Sequence, residues 1–172
     1  PTRRRHRELS ACVQSIANQI GESDVGIIII YNSDDAATIR TVSRLEAKWP
    51  FVSSISMEGD AIFGDKFRMM FRAGRNSEWV WTFGDDDLLR PGSLDFMLGR
   101  LKVADDDLSF IHVAELSRAS GTGNTYTGKL MDLCCTIGWI EITGCITGNI
   151  VRGILLSKCA DTPNWEAYST NA

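Results

Sequence analysis

Apolar residues along most of the chain follow two alternating patterns. Segments with an apolar residue every three or four positions predict helices, and short β-branched or aromatic runs between them predict strands. Helices are predicted from Leu9 to Ile20, Ala36 to Lys48, Asp65 to Ala73, and Ser93 to Val103. Strands are predicted from Val25 to Tyr31, Phe51 to Met57, Trp79 to Phe83, and Leu108 to Val113. This alternation, up to about residue 116, is typical of an α/β fold with a mostly parallel sheet flanked by helices.

The pattern changes after residue 116. Residues 117–128 are rich in Gly, Ser and Thr and predict a loop or loose hairpin. Short helices are expected at Leu130 to Trp139 and at Gly153 to Ala160, with a strand from Glu141 to Val151 between them. No long linker divides the chain, so we predict a single domain.

Polar and acidic residues follow three of the predicted strands, at Asn32 to Asp35, Glu58 to Asp60, and Asp85 to Asp87. The carboxyl ends of parallel strands lie at one edge of a sheet, where ligands bind. Adjacent carboxylates repel by roughly 1 kcal/mol in water at about 4 Å, and more at a protein surface, unless a counter-charge is present. Oxygen ligands suit Mg²⁺ or Mn²⁺, which also hold substrate phosphates. The pattern favours a metal and nucleotide site, with a solvated acidic turn as the alternative.

A second acidic triplet, Asp105 to Asp107, follows a helix and precedes a strand. That position predicts the opposite edge of the sheet. We interpret this triplet as a solvated turn.

Composition excludes several classes of protein. Of the 172 residues, 44% are hydrophobic and 23% are charged, as in ordinary globular proteins. The net charge of −4 gives no general attraction to nucleic acid. The longest apolar run, Val25 to Tyr31, is far shorter than the ~20 residues that span a bilayer. Five cysteines, including Cys134 next to Cys135, fit neither a disulfide framework nor a zinc spacing, which favours a reduced, cytoplasmic protein.

Four segments resemble, in order, the inverting glycosyltransferases of family 2, which have the GT-A fold. They are Pro1-Thr2 with the following arginines, Ile28 to Asp35 with Thr38, Trp81 to Gly92, and Ile142 to Arg152. The third contains the sequence Gly-Asp-Asp-Asp, a form of the family's aspartate motif that O-antigen sugar transferases carry. The resemblance covers nearly the whole chain.

This resemblance implies a metal-dependent enzyme that moves a sugar from a nucleoside diphosphate donor to a glycan or lipid-linked acceptor. Residues 1–116 would bind the nucleotide sugar and residues 117–172 would form the acceptor side. The expected location is the cytoplasm, and peripheral contact with the inner face of the membrane is an alternative that the resemblance allows. The expected cofactor is Mn²⁺ or Mg²⁺.

The resemblance also assigns roles to single residues. Asp85 and Asp87 would hold the metal, with Asp87 the first choice, and Asp85 and Asp86 would contact the donor diphosphate and ribose. The remaining donor contacts would come from Thr2 and Asn32 beside the nucleoside and from Asp60 and Lys66 near the base or sugar. A carboxylate would deprotonate the acceptor hydroxyl while the metal stabilises the departing nucleoside diphosphate.

Three positions depart from the family's pattern. Tyr31 stands where the family often has an aspartate near the base, and Gly84 stands at the first aspartate of the metal motif. The family's acidic pair for the general base is not recognisable. Position alone suggests Glu166 and Asp161, with Glu141 as a third candidate.

The family's central first strand should precede Pro1. We therefore expect either that the protein extends upstream of Pro1 or that another segment occupies the place of that strand. The acceptor region at the C-terminal side is also expected to be short. Two alternative functions follow: a non-catalytic fragment that binds a nucleotide or glycan, and a nucleotidyltransferase. The latter should carry a Gly-rich phosphate loop after its first strand.

Overall fold

The computed structural model describes residues 4–58, 61, 63–113, 128–137 and 146–160. Six helices lie in these ranges: α1 (His6–Ile20), α2 (Ala36–Lys48), α3 (Phe63–Gly74), α4 (Ser93–Lys102), α5 (Leu130–Ile137) and α6 (Gly153–Ala160). Five strands accompany them: β1 (Ile27–Asn32), β2 (Val52–Met57), β3 (Trp79–Trp81), β4 (Phe110–His112) and β5 (Asn149–Arg152). The helix and strand order confirms the predicted α/β class.

Local sequence signals set the ends of the first two helices. α1 ends at Gly21, whose φ of 53° is accessible to glycine at little cost. α2 begins after Asp35, whose carboxylate accepts hydrogen bonds from the amides of Ala37 and Thr38. Such a cap satisfies amides that have no partner within the helix.

The strands form two sheets. β1 and β2 pair in parallel, with Ile27 opposite Val52 and Asn32 opposite Met57. β5 lies between β3 and β4 and runs antiparallel to both. The expectation of a mostly parallel sheet is therefore wrong for the second sheet, because hydrophobic periodicity in strands this short carries no information about direction.

Helix α1 packs across both sheets. Its residues Leu9 and Val13 share a buried cluster with Ile29 of β1, Val42 of α2 and Val52 of β2. At its other end Ile20 packs with Leu89 and Leu94 of the β3–α4 region, with Trp81 and Phe83 beside them. One amphipathic helix thereby fixes the end of β3 relative to β1.

Two predicted strands differ from the structure. The unbroken apolar run that contains β1 is typical of a strand buried on both faces, but Ile28 is 45% exposed while Ile30 is 2% exposed. Residues 146–148, predicted as strand, form a 3₁₀ turn, and β5 begins only at Asn149. The remainder of the predicted strand, with Glu141 and Gly144, lies outside the described residues.

A strand between β1 and β3 stays a prediction. Within the described ranges β1 pairs with β2 and β3 pairs with β5, so each has one edge without a strand partner there. An unpaired edge presents backbone donors and acceptors that another strand can bind.

Replacing Gly153 by alanine tests the contact between α6 and the turn before β3. A Cβ at Gly153 would lie 2.0 Å from the carbonyl oxygen of Ser77, which belongs to the backbone and cannot rotate away. We expect Gly153→Ala to lower the free energy of unfolding by about 1–3 kcal/mol in urea titrations.

The matched control is Gly99→Ala in α4, where a Cβ meets nothing within 4 Å. That change should raise stability by about 0.5–1 kcal/mol, because alanine favours the helix over glycine. Equal effects of the two substitutions would contradict the packing at Gly153.

Candidate functional site

The carboxyl ends of β1 and β3 meet at the N-terminal end of α1. Arg4 pairs with Asp34 after β1 at 3.6 Å, and Arg5 pairs with Asp85 and Asp86 after β3 at 3.3 and 2.7 Å. Because the two arginines are consecutive, both acidic segments lie close together as predicted, although β1 and β3 belong to different sheets and not to one. Arg4 has a φ of 57°, a left-handed conformation that turns the chain between the two contacts.

The end of β2 lies beside the end of β1. The amide of Ser33 donates to the carbonyl of Met57 at 3.0 Å, which carries the pairing one residue beyond the strands. Glu58 follows and is exposed. Asp60, the predicted contact to the base or sugar, lies outside the described residues.

The residues from Gly84 to Asp87 form an acidic loop after β3, and Thr147, in the turn before β5, forms hydrogen bonds to this loop. Its hydroxyl donates to the Asp87 carboxylate and accepts from the Gly84 amide, the latter at 2.9 Å. Its carbonyl accepts from the indole nitrogen of Trp81 at 2.7 Å. Thr147 therefore forms hydrogen bonds to both ends of the loop, at Gly84 and at Asp87.

Gly84 permits the loop to fold back on itself. A Cβ there would lie 2.8 Å from an Asp87 carboxylate oxygen and 3.1 Å from an Asp86 carboxylate oxygen. A side chain at the glycine that replaces the expected first aspartate would therefore require the Asp86 and Asp87 carboxylates to shift.

The Arg5 side chain forms ion pairs with two of the three acids of the loop, Asp85 and Asp86. The same guanidinium nitrogen of Arg5 donates to Asp85 and Asp86. The Asp85 side chain is 10% exposed, whereas those of Asp86 and Arg5 are 55% and 53% exposed. The charge of Asp85, followed by that of Asp86, raises the pKa of Arg5 above its ordinary value, so the guanidinium remains charged.

Cys12 lies beneath the loop. Its thiol donates to the Gly84 carbonyl at 3.3 Å. Burial, reinforced by the charges of Asp87 and Asp85, raises the pKa of Cys12 to about 12. The thiol is therefore neutral at physiological pH and acts as a hydrogen-bond donor rather than a nucleophile.

The other predicted site residues lie in different environments. Asn32, the last residue of β1, is 1% exposed, and Lys66 in α3 is 7% exposed. α3 packs against β1, which places Lys66 on an element adjoining the site. Thr2, Asp161 and Glu166 lie outside the described residues.

The second acidic triplet lies at the other end of β3, as predicted. Arg152 donates to the carbonyl of Asp105, and Arg152 is opposite Trp79, the first residue of β3. The loop at Asp85 to Asp87 instead follows the last residues of that strand. Asp105, Asp106 and Asp107 are exposed.

The acidic loop is suited in part to a divalent cation. Asp85 and Asp86 offer oxygen ligands that already share one cationic atom, and Mg²⁺ commonly uses one or two carboxylates together with substrate phosphates. Asp87, the first choice as ligand, is instead bonded to Thr147. In the part of the chain that the structure describes, no three His, Cys, Asp or Glu residues form a metal-binding group.

Sequence reasoning missed three residues of this site. Arg5 is among the arginines after Pro1-Thr2, Cys12 lies within the helix predicted from Leu9 to Ile20, and Thr147 lies within the strand predicted from Glu141 to Val151. A weak signal existed for Arg5, since three adjacent acids require a counter-charge. Nothing in the pattern around Thr147 or Cys12 indicates contact with a loop 60 or more residues away.

Comparisons of the chain with protein-family models, with curated proteins and with solved structures found no match. None of the helices in the described ranges is long and apolar enough to cross a bilayer.

The cap of α2 by Asp35, shortly after the end of β1, can be tested through its dependence on pH. Its pKa is lowered chiefly by the Thr38 hydroxyl, which donates at 2.5 Å, and further by the amides of Thr38 and Ala37. Because the pKa is lower in the folded protein, the ionised cap stabilises above the ordinary value of 3.8, and its contribution is lost as pH falls through the lowered pKa.

We therefore expect Asp35→Asn to be less stable than the wild type at neutral pH, with the difference shrinking as the pH falls below 3.8. Urea unfolding of both proteins across this range measures it. A difference that is the same at neutral and acidic pH would contradict the ionised cap.

Proposed function

We propose that the chain is a metal-dependent, inverting glycosyltransferase of the GT-A type, which moves a sugar from a nucleoside diphosphate to a glycan or lipid-linked acceptor. The observation that supports this most is the meeting of two acidic strand ends, with Asp85 and Asp86 directed at one cation. The resemblance of Trp81 to Gly92 to the family's aspartate motif supplies the reaction type.

The chemistry of the acidic loop is consistent with this proposal. A divalent ion held by these carboxylates would neutralise negative charge on the departing nucleoside diphosphate. Asp85 is largely buried and is fixed by its neighbours, so it can hold a ligand position without ordering a mobile side chain. Asp161 and Glu166 remain the proposed candidates for the general base.

One observation favours a second function, a non-catalytic nucleotide or glycan binder. Arg5 already pairs with both Asp85 and Asp86, so these two carboxylates have a cationic partner without a metal. Sugar transfer or donor hydrolysis by the purified chain would exclude this alternative.

Asp87→Ala tests the proposed metal site. We expect the variant to lose the manganese-dependent part of its affinity for a nucleoside diphosphate, measured by calorimetry with and without Mn²⁺ across a panel of nucleotides. Asp106→Ala is the matched control, because it removes the same charge from an exposed triplet at the other end of β3.

Only the Asp87 variant should change. Unchanged affinity in Asp87→Ala, or an equal loss in Asp106→Ala, would contradict a role for Asp87 in metal and donor binding. A thermal shift in each protein checks that both variants remain folded.

Arg5→Gln tests the competition between arginine and metal for the same carboxylates. Removing the guanidinium frees Asp85 and Asp86, so Mn²⁺ should bind about three- to ten-fold more tightly, in line with an exposed charge-assisted pair. Calorimetric titration with Mn²⁺ alone measures this change.

Arg7→Gln controls for the loss of a positive charge, because Arg7 is exposed two residues further along α1. Arg5→Lys separates the effects further, since lysine keeps the charge but lacks the planar guanidinium. Equal increases in the Arg5→Gln and Arg7→Gln variants would indicate a general field effect and contradict direct competition.

A further inference from the structure

A basic groove lies between α1 and α2, separate from the acidic loop. It has a volume of about 320 Å³ and is lined by His6, Ala37, Arg40, Thr41 and Arg44. Arg40 and Arg44 are one helical turn apart and therefore project from the same face of α2. His6 is the first residue of α1 and closes the groove from the other side.

The cationic side chains of this groove have no carboxylate partner among the described residues. Among the described residues, the ion pairs involve Arg4, Arg5 and Arg152, and none involves His6, Arg40 or Arg44. Arg44 contacts the Ser10 hydroxyl at 3.5 Å, a neutral group that leaves its charge uncompensated.

The nearest acid to the groove is already engaged. Asp35 lies close enough to His6 for that side chain to make a small contribution to its lowered pKa, but its carboxylate accepts from the amides of Ala37 and Thr38 and from the Thr38 hydroxyl. Those three bonds fix it as the cap of α2. It is therefore directed at the helix end rather than into the groove.

Uncompensated guanidinium groups on one face attract an anion for the same reason that adjacent carboxylates attract a cation. The attraction is local, because the whole chain carries a net charge of −4. A guanidinium donates two parallel hydrogen bonds to a phosphate, which makes arginine the side chain best suited to bind it.

The shape of the groove is consistent with a small phosphate group. Its volume is at the lower end of the roughly 300–1,000 Å³ that is typical of small-molecule sites. Ala37 and Thr41 also line the groove, and Thr41 adds a neutral hydroxyl that can hydrogen-bond.

We propose that the α1–α2 groove, formed by His6, Arg40 and Arg44, binds a phosphate group. The phosphate belongs either to a small soluble molecule or to a lipid headgroup at a membrane surface. This site shares no residue with the acidic loop and does not depend on the proposed glycosyltransferase activity.

Pyrophosphate binding in the presence of a metal chelator tests the proposal by calorimetry. The chelator prevents metal-mediated binding at the acidic loop. The wild type should bind, and Arg40→Ala/Arg44→Ala should bind about ten-fold more weakly or not at all, because two charge-assisted contacts are lost. Both arginines are exposed on a helix, where alanine is well tolerated.

Arg72→Ala/Arg75→Ala is the matched control, since it removes two exposed arginines from the end of α3 and the following turn. It should bind pyrophosphate as the wild type does. Arg40→Lys/Arg44→Lys should give an intermediate affinity, because the charges remain without the paired donors.

Co-sedimentation with vesicles of phosphatidylglycerol, and with phosphatidylcholine vesicles as the uncharged comparison, distinguishes the two sources of phosphate. Binding of pyrophosphate alone supports a soluble ligand, and binding of the anionic vesicles that is lost in Arg40→Ala/Arg44→Ala supports a lipid headgroup. The proposal is overturned if the wild type binds neither probe, or if the double variant binds as the wild type and the control do.

Discussion

Three adjacent carboxylates after β3 can lie close together only where their charge and their hydrogen-bonding capacity are satisfied. Arg5 pairs with Asp85 and Asp86 and offsets part of their charge, the Thr147 hydroxyl donates to Asp87, and the thiol of Cys12 donates to the Gly84 carbonyl. These partners come from both ends of the chain. The acidic loop is therefore the point at which α1, β3 and the turn before β5 are joined.

The position of α1 follows from the same constraint. Its apolar face packs against both sheets, through Leu9 and Val13 at one end and Ile20 at the other. With the helix fixed in this way, its N-terminal residues project toward the strand ends. Arg4 and Arg5 then reach two different acidic segments without a long flexible connection.

The helices and the acidic segments at the carboxyl ends of β1 and β3 could be predicted from sequence because both depend on local patterns. Periodicity gave α2 its observed bounds, and chain order put Asp85 and Asp105 at opposite ends of β3. The antiparallel pairing of β5 could not be predicted, because it depends on contacts between strands far apart in sequence. The roles of Arg5 and Thr147 are long-range in the same sense, since each contacts the loop from 60 or more residues away in sequence.

Two regions of opposite charge lie on either side of the N-terminal end of α1: the acidic loop after β3 and the basic groove beside α2. Arg5 faces the acids after β3, whereas His6, the next residue, faces the groove with Arg40 and Arg44. A cation at the loop and an anion at the groove would thus bind on neighbouring surfaces of one helix end, in a chain whose net charge alone indicates neither.

The most direct measurement is anomalous diffraction at the manganese edge, from crystals grown with Mn²⁺ and a nucleoside diphosphate. A metal-dependent donor site at the acidic loop requires a manganese peak bonded to carboxylates among Asp85 to Asp87, with Arg5 turned away from them. A peak at Asp105 to Asp107, or none while Arg5 still bridges Asp85 and Asp86, would contradict a metal site at this loop.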